Sequence, residues 1–156
     1  MIKILFVCLG NICRSPLAEA ICNAKIKEYG LESSLLTDSA GTSTYHIGED
    51  PDPRSIEVAR AHHTPISHKG RQVSSSDKHE FQYIMAMDRS NFQNIVSMLG
   101  EQPEGLYLMR DFDPESRGAE VPDPYYGGQQ GFEDVYQMLD RSCEELIDFI
   151  REKHNI

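Results

Sequence analysis

The first chemical signal in the chain is a pair of residues near its start. Cys8 and Arg14 lie six positions apart in "VCLGNICRSP", and Ser15 follows at once. The cysteine ends an apolar run, and the arginine stands at the entrance to an alanine-rich, helix-like run. The backbone N–H groups between them, across Leu9, Gly10, Asn11, Ile12 and Cys13, can curl into a nest aimed at one point. The positive end of the following helix points to the same place. This is the design of an anion site. It is not a nucleotide-phosphate loop, which needs Gly-Lys-Ser/Thr, nor a dinucleotide fingerprint. A thiol facing such a nest beside an arginine loses its proton more readily than a free cysteine with its pKa of ~8.5. The thiolate is a strong nucleophile toward phosphorus and later a good leaving group. Arg14 adds a planar fork that matches two phosphoryl oxygens and keeps its charge at any working pH. Stripped of its flanks, the same spacing also describes a buried strand-end cysteine beside a surface arginine. The strand before it and the Ser-Pro start after it favour the anion site.

A nucleophile at phosphorus needs a partner that protonates the leaving oxygen. "VPDPYYGG" offers Asp123, held between two prolines and followed by Tyr125 and Tyr126. By local sequence alone this is an ordinary Asp-Pro turn. Beside the cysteine loop it becomes the candidate acid.

The elements that must position these residues follow from periodicity. Apolar residues from Ile2 to Val7 predict a buried strand. Ser15-Pro16 predicts a helix start with Ser15 as N-cap. Leu17, Ala20, Ile21 and Ala24 continue at helical spacing toward a stop at Tyr29-Gly30. "SLLTDSAG" predicts a second strand, making a strand–helix–strand unit of the parallel, right-handed kind. "GEDPDP" is a turn cluster, and "PRSIEVARAHH" predicts a short helix. "FQYIMAM" predicts a third strand, and "DRSNFQNIVSML" a helix with Asp88 as cap. "GLYLM" predicts a short fourth strand. A loop from Arg110 to Gly131 is rich in Asp, Pro and Gly. Phe132, Val135, Tyr136, Leu139, Cys143, Leu146, Ile147 and Ile150 form the apolar stripe of a last helix. The alternation implies one domain of the α/β class, three layers (α/β/α) around a small parallel sheet. Ligands of such sheets sit beyond the carboxyl ends of the strands. That edge collects Cys8 to Ser15, the loop after Ser39, the end of the third strand and the long loop.

Composition sets the remaining bounds. With 156 residues, 39% hydrophobic and 26% charged, the chain is long enough for a proper core and too apolar for disorder. No apolar run approaches the ~20 residues of a membrane span, and the first residues lack the form of a secretory signal. A cytoplasmic protein is expected. The four cysteines (Cys8, Cys13, Cys22, Cys143) form no C-x-x-C pair, and the six histidines show no zinc spacing. Neither metal nor cofactor is expected. The net charge of −10 argues against nucleic acid or a membrane surface as partner, since both are polyanions.

Together "VCLGNICRSP" and "DPYYG" resemble the low-molecular-weight protein tyrosine phosphatases. The resemblance extends over nearly the whole chain, through "DSAGTSTYHIG", "ISHKGRQV", "FQYIMAMDRSN" and the helix after "GFEDVYQ". It implies a four-stranded parallel sheet with helices on both faces, phosphotyrosine-containing proteins as substrates and inorganic phosphate as inhibiting product. It implies Cys8 as nucleophile, Arg14 as phosphate clamp, Asp123 as general acid and then base, and Ser15 as the hydroxyl beside the thiolate. Asn11 is implied to hold the loop through hydrogen bonds to Ser39 and His68. It also suggests that Cys13 forms a disulfide with Cys8 on oxidation, a reading favoured over that of a small residue filling space under the nest. Leu9, Ile12, Tyr45, His46, Tyr125 and Tyr126 lie on the same edge and suit either pocket walls or ordinary surface. Tyr125 and Tyr126, so near Asp123, favour the pocket. Related phosphoarginine phosphatases carry threonine in place of Ile12, so isoleucine points to phosphotyrosine. An arsenate reductase of related fold would need relay cysteines, and the stretch from Ser74 to Arg89 contains none. A non-catalytic phosphate-binding module would have no use for both Cys8 and Asp123.

Overall fold

The computed structural model describes residues 1–156. Four strands form one parallel sheet: β1 (Ile2–Cys8), β2 (Leu35–Gly41), β3 (Tyr83–Ala86) and β4 (Leu106–Leu108), in spatial order β2-β1-β3-β4. Five helices accompany them: α1 (Arg14–Glu28), α2 (Pro53–Ala61), α3 (Asp77–Glu80), α4 (Arg89–Leu99) and α5 (Gln129–His154). This is the expected α/β/α arrangement. β1 is central, and its side chains alternate between two cores. Ile4, Phe6 and Cys8 enter the larger one, shared with α1 and α5; Leu5 and Val7 enter the smaller one, shared with α4. Every residue expected on the apolar stripe of the last helix is buried.

The register carries the strand ends to one edge. Cys8 lies beside Gly41, Val7 beside Ala86, and Ala86 beside Leu108. From β1 the chain crosses one way to β2 and later the other way to β3. The switch point between β1 and β3 is where such sheets open a crevice. Gly41 matters there: a Cβ would lie 2.8 Å from the Leu9 carbonyl oxygen and 3.1 Å from Asn11 Cβ, so a side chain would push the loop out of place.

Some expectations need correction. Ser15 is not an N-cap: α1 opens at Arg14 with Cys13 in the cap position. β3 is shorter than "FQYIMAM", and α2 ends at Ala61 rather than His63. α3, a single turn, was not expected; four residues are too few for a periodic signal. The stretch from Arg110 to Gly131 is not featureless. A short 3₁₀ turn spans Pro124–Tyr126, and α5 already begins at Gln129. Its first half is tied down by the fully buried Asp113, which accepts from Arg110 Nε (2.9 Å) and from Arg141 Nε and Nη2 (both 3.0 Å). No helix is long and apolar enough to cross a membrane.

Candidate active site

Cys8 closes β1 with its sulfur almost wholly covered. The Asn11 N–H donates to Sγ at 3.3 Å, and Ser15 Oγ lies 3.0 Å from it. The loop turns through Asn11, whose φ of 57° lies in the left-handed region, one that asparagine tolerates better than most residues. The Asn11 side chain, 1% exposed, is fully used. Its Nδ2 donates to Ser15 Oγ (2.8 Å) and Ser39 Oγ (3.1 Å), and its Oδ1 accepts from His68 Nε2 (2.7 Å) and the Arg71 N–H (3.0 Å). The Ser15 hydroxyl therefore serves three inward partners, Cys8, Asn11 and, at 3.4 Å, the Ala40 carbonyl, and caps no N–H of the helix. That tertiary use overrides the local preference of serine for capping.

Behind Asn11 the network reaches a residue that the motif reading omitted. The Ser39 hydroxyl donates to Glu19 Oε1 at 2.6 Å, and His68 Nδ1 lies 3.3 Å from the same oxygen. Burial pushes the Glu19 carboxyl up to about 7, and burial lowers the pKa of His68. Glu19, His68 and Asp38 bring metal-capable atoms within 4.8 Å of one another. Those atoms have other work. Asp38 accepts from the Ser39 N–H at 2.8 Å and from Arg71 Nε at 3.0 Å, Glu19 Oε1 accepts from the Ser39 hydroxyl, and His68 Nδ1 lies 3.9 Å from Asp38 Oδ1 as well as facing Glu19.

Arg14 is 3% exposed, yet its fork is aimed. Nη1 donates to Asp88 Oδ2 (2.7 Å) and to the Val121 carbonyl (3.0 Å), while Nη2 faces Asp123 Oδ2 at 3.7 Å. Burial opposes the guanidinium charge, but Cys8, Asp88 and Asp123 outweigh it and hold the pKa above the ordinary value. Asp88 was expected only as the cap of α4, and it does cap it, through Oδ1 and the Asn91 N–H at 2.7 Å. Its other oxygen steers Arg14, a pairing across 74 positions that no local pattern announces. Asp123 in turn accepts from the Tyr125 N–H through Oδ1 (3.0 Å), leaving Oδ2 toward Arg14.

The cleft these residues share has a volume of about 230 Å³. Cys8, Cys13, Arg14 and Asp123 face it, and so do Leu9, Gly10 and Ile12 of the loop. Tyr45, His46, Tyr125 and Tyr126 stand around it, Tyr126 being 90% exposed. Asn11, Ser15, Ser39 and His68 are not wall residues; they form the shell behind the loop. Burial and the Asp52 carboxylate push the Cys13 thiol up. His46 packs against Gly10, where a Cβ would meet its ring carbon at 3.0 Å, and its Nδ1 pairs with Glu49 at 2.9 Å.

Known proteins match this chain over nearly its whole length. The family described as low molecular weight phosphotyrosine protein phosphatase matches residues 3–155. A low molecular weight phosphotyrosine protein phosphatase of Schizosaccharomyces pombe is 44% identical over 147 residues, covering 90% of this chain and 92% of that one. The crystal structure of a protein tyrosine phosphatase from Entamoeba histolytica superposes with a TM-score of 0.94 at 41% identity, covering 99% of each chain. A Drosophila arginine phosphatase superposes at 0.86 with 31% identity, covering 96% of this chain and 98% of that one. A match of this extent, with the cysteine loop and the acid segment meeting at one cleft, decides the kinship: the chain belongs to the low molecular weight phosphotyrosine protein phosphatase family.

Proposed function

We propose that this cleft hydrolyses phosphotyrosine monoesters of proteins through a phosphocysteine intermediate. The observation that carries the reading is the meeting of the Cys8 sulfur, the Arg14 fork and the Asp123 carboxylate at a single cleft walled by aromatic rings. Nη1 of Arg14 is committed to Asp88 and Val121, so Nη2 and Nε remain for two phosphoryl oxygens, the bidentate grip that suits the group. The N–H groups of the loop take the other oxygens, and charge spreads over all of them in a loose transition state. Cys8 Sγ forms a bond to phosphorus as the bond to the tyrosyl oxygen breaks, and Asp123 Oδ2 delivers the proton that this oxygen needs. Water then attacks the phosphocysteine, gives its proton to Asp123, and the sulfur leaves as thiolate. Ser15 and the Asn11 N–H hold that sulfur in both steps.

Ile12 supports the aromatic ester over a phosphoguanidine: it lines the cleft with an apolar side chain and offers no hydroxyl to a guanidinium. Inorganic phosphate fits the same cradle and acts as a competitive product inhibitor. A reaction that runs through a free Cys8 thiol suits a reducing, cytoplasmic setting. The deciding assay is phosphate release from matched peptides carrying phosphotyrosine, phosphoserine or phosphoarginine. The phosphotyrosine peptide should be turned over at least ~10²-fold faster than the others, the discrimination expected when a cleft built for one group meets another. A preference for phosphoarginine, or no release from any peptide, would overturn the proposal.

A further inference from the structure

Arg54 lies outside the cleft lining, but it touches both segments that must meet there. The first turn of α2 is stitched to the phosphate loop. The Asp52 N–H donates to the Ile12 carbonyl at 2.8 Å, and Ser55 Oγ donates to the Cys13 carbonyl at 3.3 Å. Asp52, 8% exposed, caps the helix and grips Arg54 with both oxygens. Oδ1 accepts from the Arg54 N–H (2.8 Å) and Nε (3.1 Å), and Oδ2 accepts from Nη2 (2.9 Å). The guanidinium plane is thereby fixed relative to the loop. Its free side faces the acid segment. Nη1 donates to the Gly127 carbonyl at 3.4 Å, and Cζ lies 5.3 Å from the centre of the Tyr125 ring and 4.6 Å from that of Phe132 at the start of α5. Tyr125 is the residue whose N–H orients Asp123.

We infer that Arg54 is a positioning residue for the general acid: held by Asp52 against the phosphate loop, it docks the segment from Asp123 to Gly127 so that Asp123 reaches the leaving oxygen. The inference rests on the assignment of Asp123 proposed above. The physical need is plain. Asp123 sits on an exposed turn whose own hydrogen bond, to Tyr125, is local, and its nearest approach to Arg14 is 3.7 Å. A planar cation offers one aromatic face a stack and a carbonyl a donor at once, and lysine cannot do both. A misplacement of about 1 Å at the acid is enough to cost ~10²-fold in rate.

The test compares the parent with Arg54→Gln, Arg54→Lys and Asp123→Asn on phenyl phosphate and 4-nitrophenyl phosphate. The nitrated ester leaves with little help from an acid, and the plain phenyl ester needs it. Arg54→Gln should lower kcat/KM for phenyl phosphate by about 10- to 10²-fold and that for the nitrated ester by about 3-fold or less, with the inhibition constant of inorganic phosphate unchanged. Arg54→Lys should fall between Arg54→Gln and the parent. An equal loss on both esters, weaker phosphate inhibition, or parental kinetics in Arg54→Gln would overturn the inference while Asp123→Asn still separates the two esters. If Asp123→Asn itself fails to separate them, the acid assignment falls and the role of Arg54 falls with it.

Discussion

Asn11 offers a test in which backbone and side-chain contributions come apart. Replacing it with alanine removes four hydrogen bonds in a site that is 1% exposed. At about 1 kcal/mol net for each, the loss is about 4 kcal/mol. Alanine must also hold the φ of 57°. The left-handed conformation costs it about 1–2 kcal/mol. Asn11→Gly loses the same bonds but accepts that conformation freely. Its greater freedom in the unfolded chain returns about 0.5–1 kcal/mol of the advantage. The expected losses are therefore about 5–6 kcal/mol for alanine and about 4.5–5 kcal/mol for glycine, against a total stability of roughly 5–15 kcal/mol for such a domain. Urea titrations at pH 7 in phosphate-free buffer, followed by far-ultraviolet circular dichroism, give both values. Both variants should also lose about 10²-fold in kcat/KM on an aryl phosphate, since the loop N–H groups lose their aim. A loss under about 1.5 kcal/mol for Asn11→Ala would refute the network as the support of the loop. A glycine variant less stable than the alanine one would refute the backbone reasoning.

Asp123→Asn should slow phenyl phosphate hydrolysis by about 10²–10⁴-fold and a nitrated ester far less; an equal effect on both esters would remove Asp123 as the acid. Asp113 gives a pH test. Burial pushes its carboxyl up, but the forks of Arg141 and Arg110 and the Glu115 N–H outweigh this and hold it at about 2, against 3.8 ordinarily. Its folded-state pKa is depressed, so its stabilisation is present above about pH 4 and lost as pH falls toward 2, by about 2 kcal/mol. The stability gap between parent and Asp113→Asn should narrow by that amount over this window, and a constant gap would contradict the pairing. Peroxide should inactivate the enzyme by oxidising Cys8 to a sulfenic acid, which the Cys13 thiol converts to a disulfide with loss of water. Dithiothreitol should then restore the parent and not Cys13→Ser, and equal recovery of both would rule the pair out.

What could be read from the sequence was what lies close together in it. Cys8, the loop and Arg14 occupy seven consecutive residues, and a strand, a nest and a helix end are all local features. The α5 stripe was legible because 26 residues repeat one period. Asp88 shows the limit. Its capping role follows from the four residues after it, but its grip on Arg14 depends on β1 and β3 being neighbours in the sheet. Glu19 was hidden for a related reason. On α1 it reads as a solvent-facing acid, and only the approach of Ser39 from β2 and of His68 from the loop after α2 makes it part of the shell. Ser15 misled because a local rule for helix starts met a stronger inward demand from Cys8 and Asn11. Arg54 follows "DPDP" in the first turn of a helix and carries no local signal; the aromatic rings it faces lie more than seventy positions away.

The covalent step is the point on which the chemistry stands or falls, and rapid-quench mass spectrometry reaches it directly. A phosphotyrosine peptide mixed with the parent in excess enzyme and quenched in acid should leave one phosphoryl group on the peptide that contains Cys8. Asp123→Asn, slower to hydrolyse the intermediate, should hold more of it at steady state on an activated ester. Cys8→Ser should show no turnover while still binding inorganic phosphate, because Arg14 and the loop N–H groups remain. Phosphate release with no label at Cys8, together with sustained turnover by Cys8→Ser, would contradict a mechanism through this sulfur.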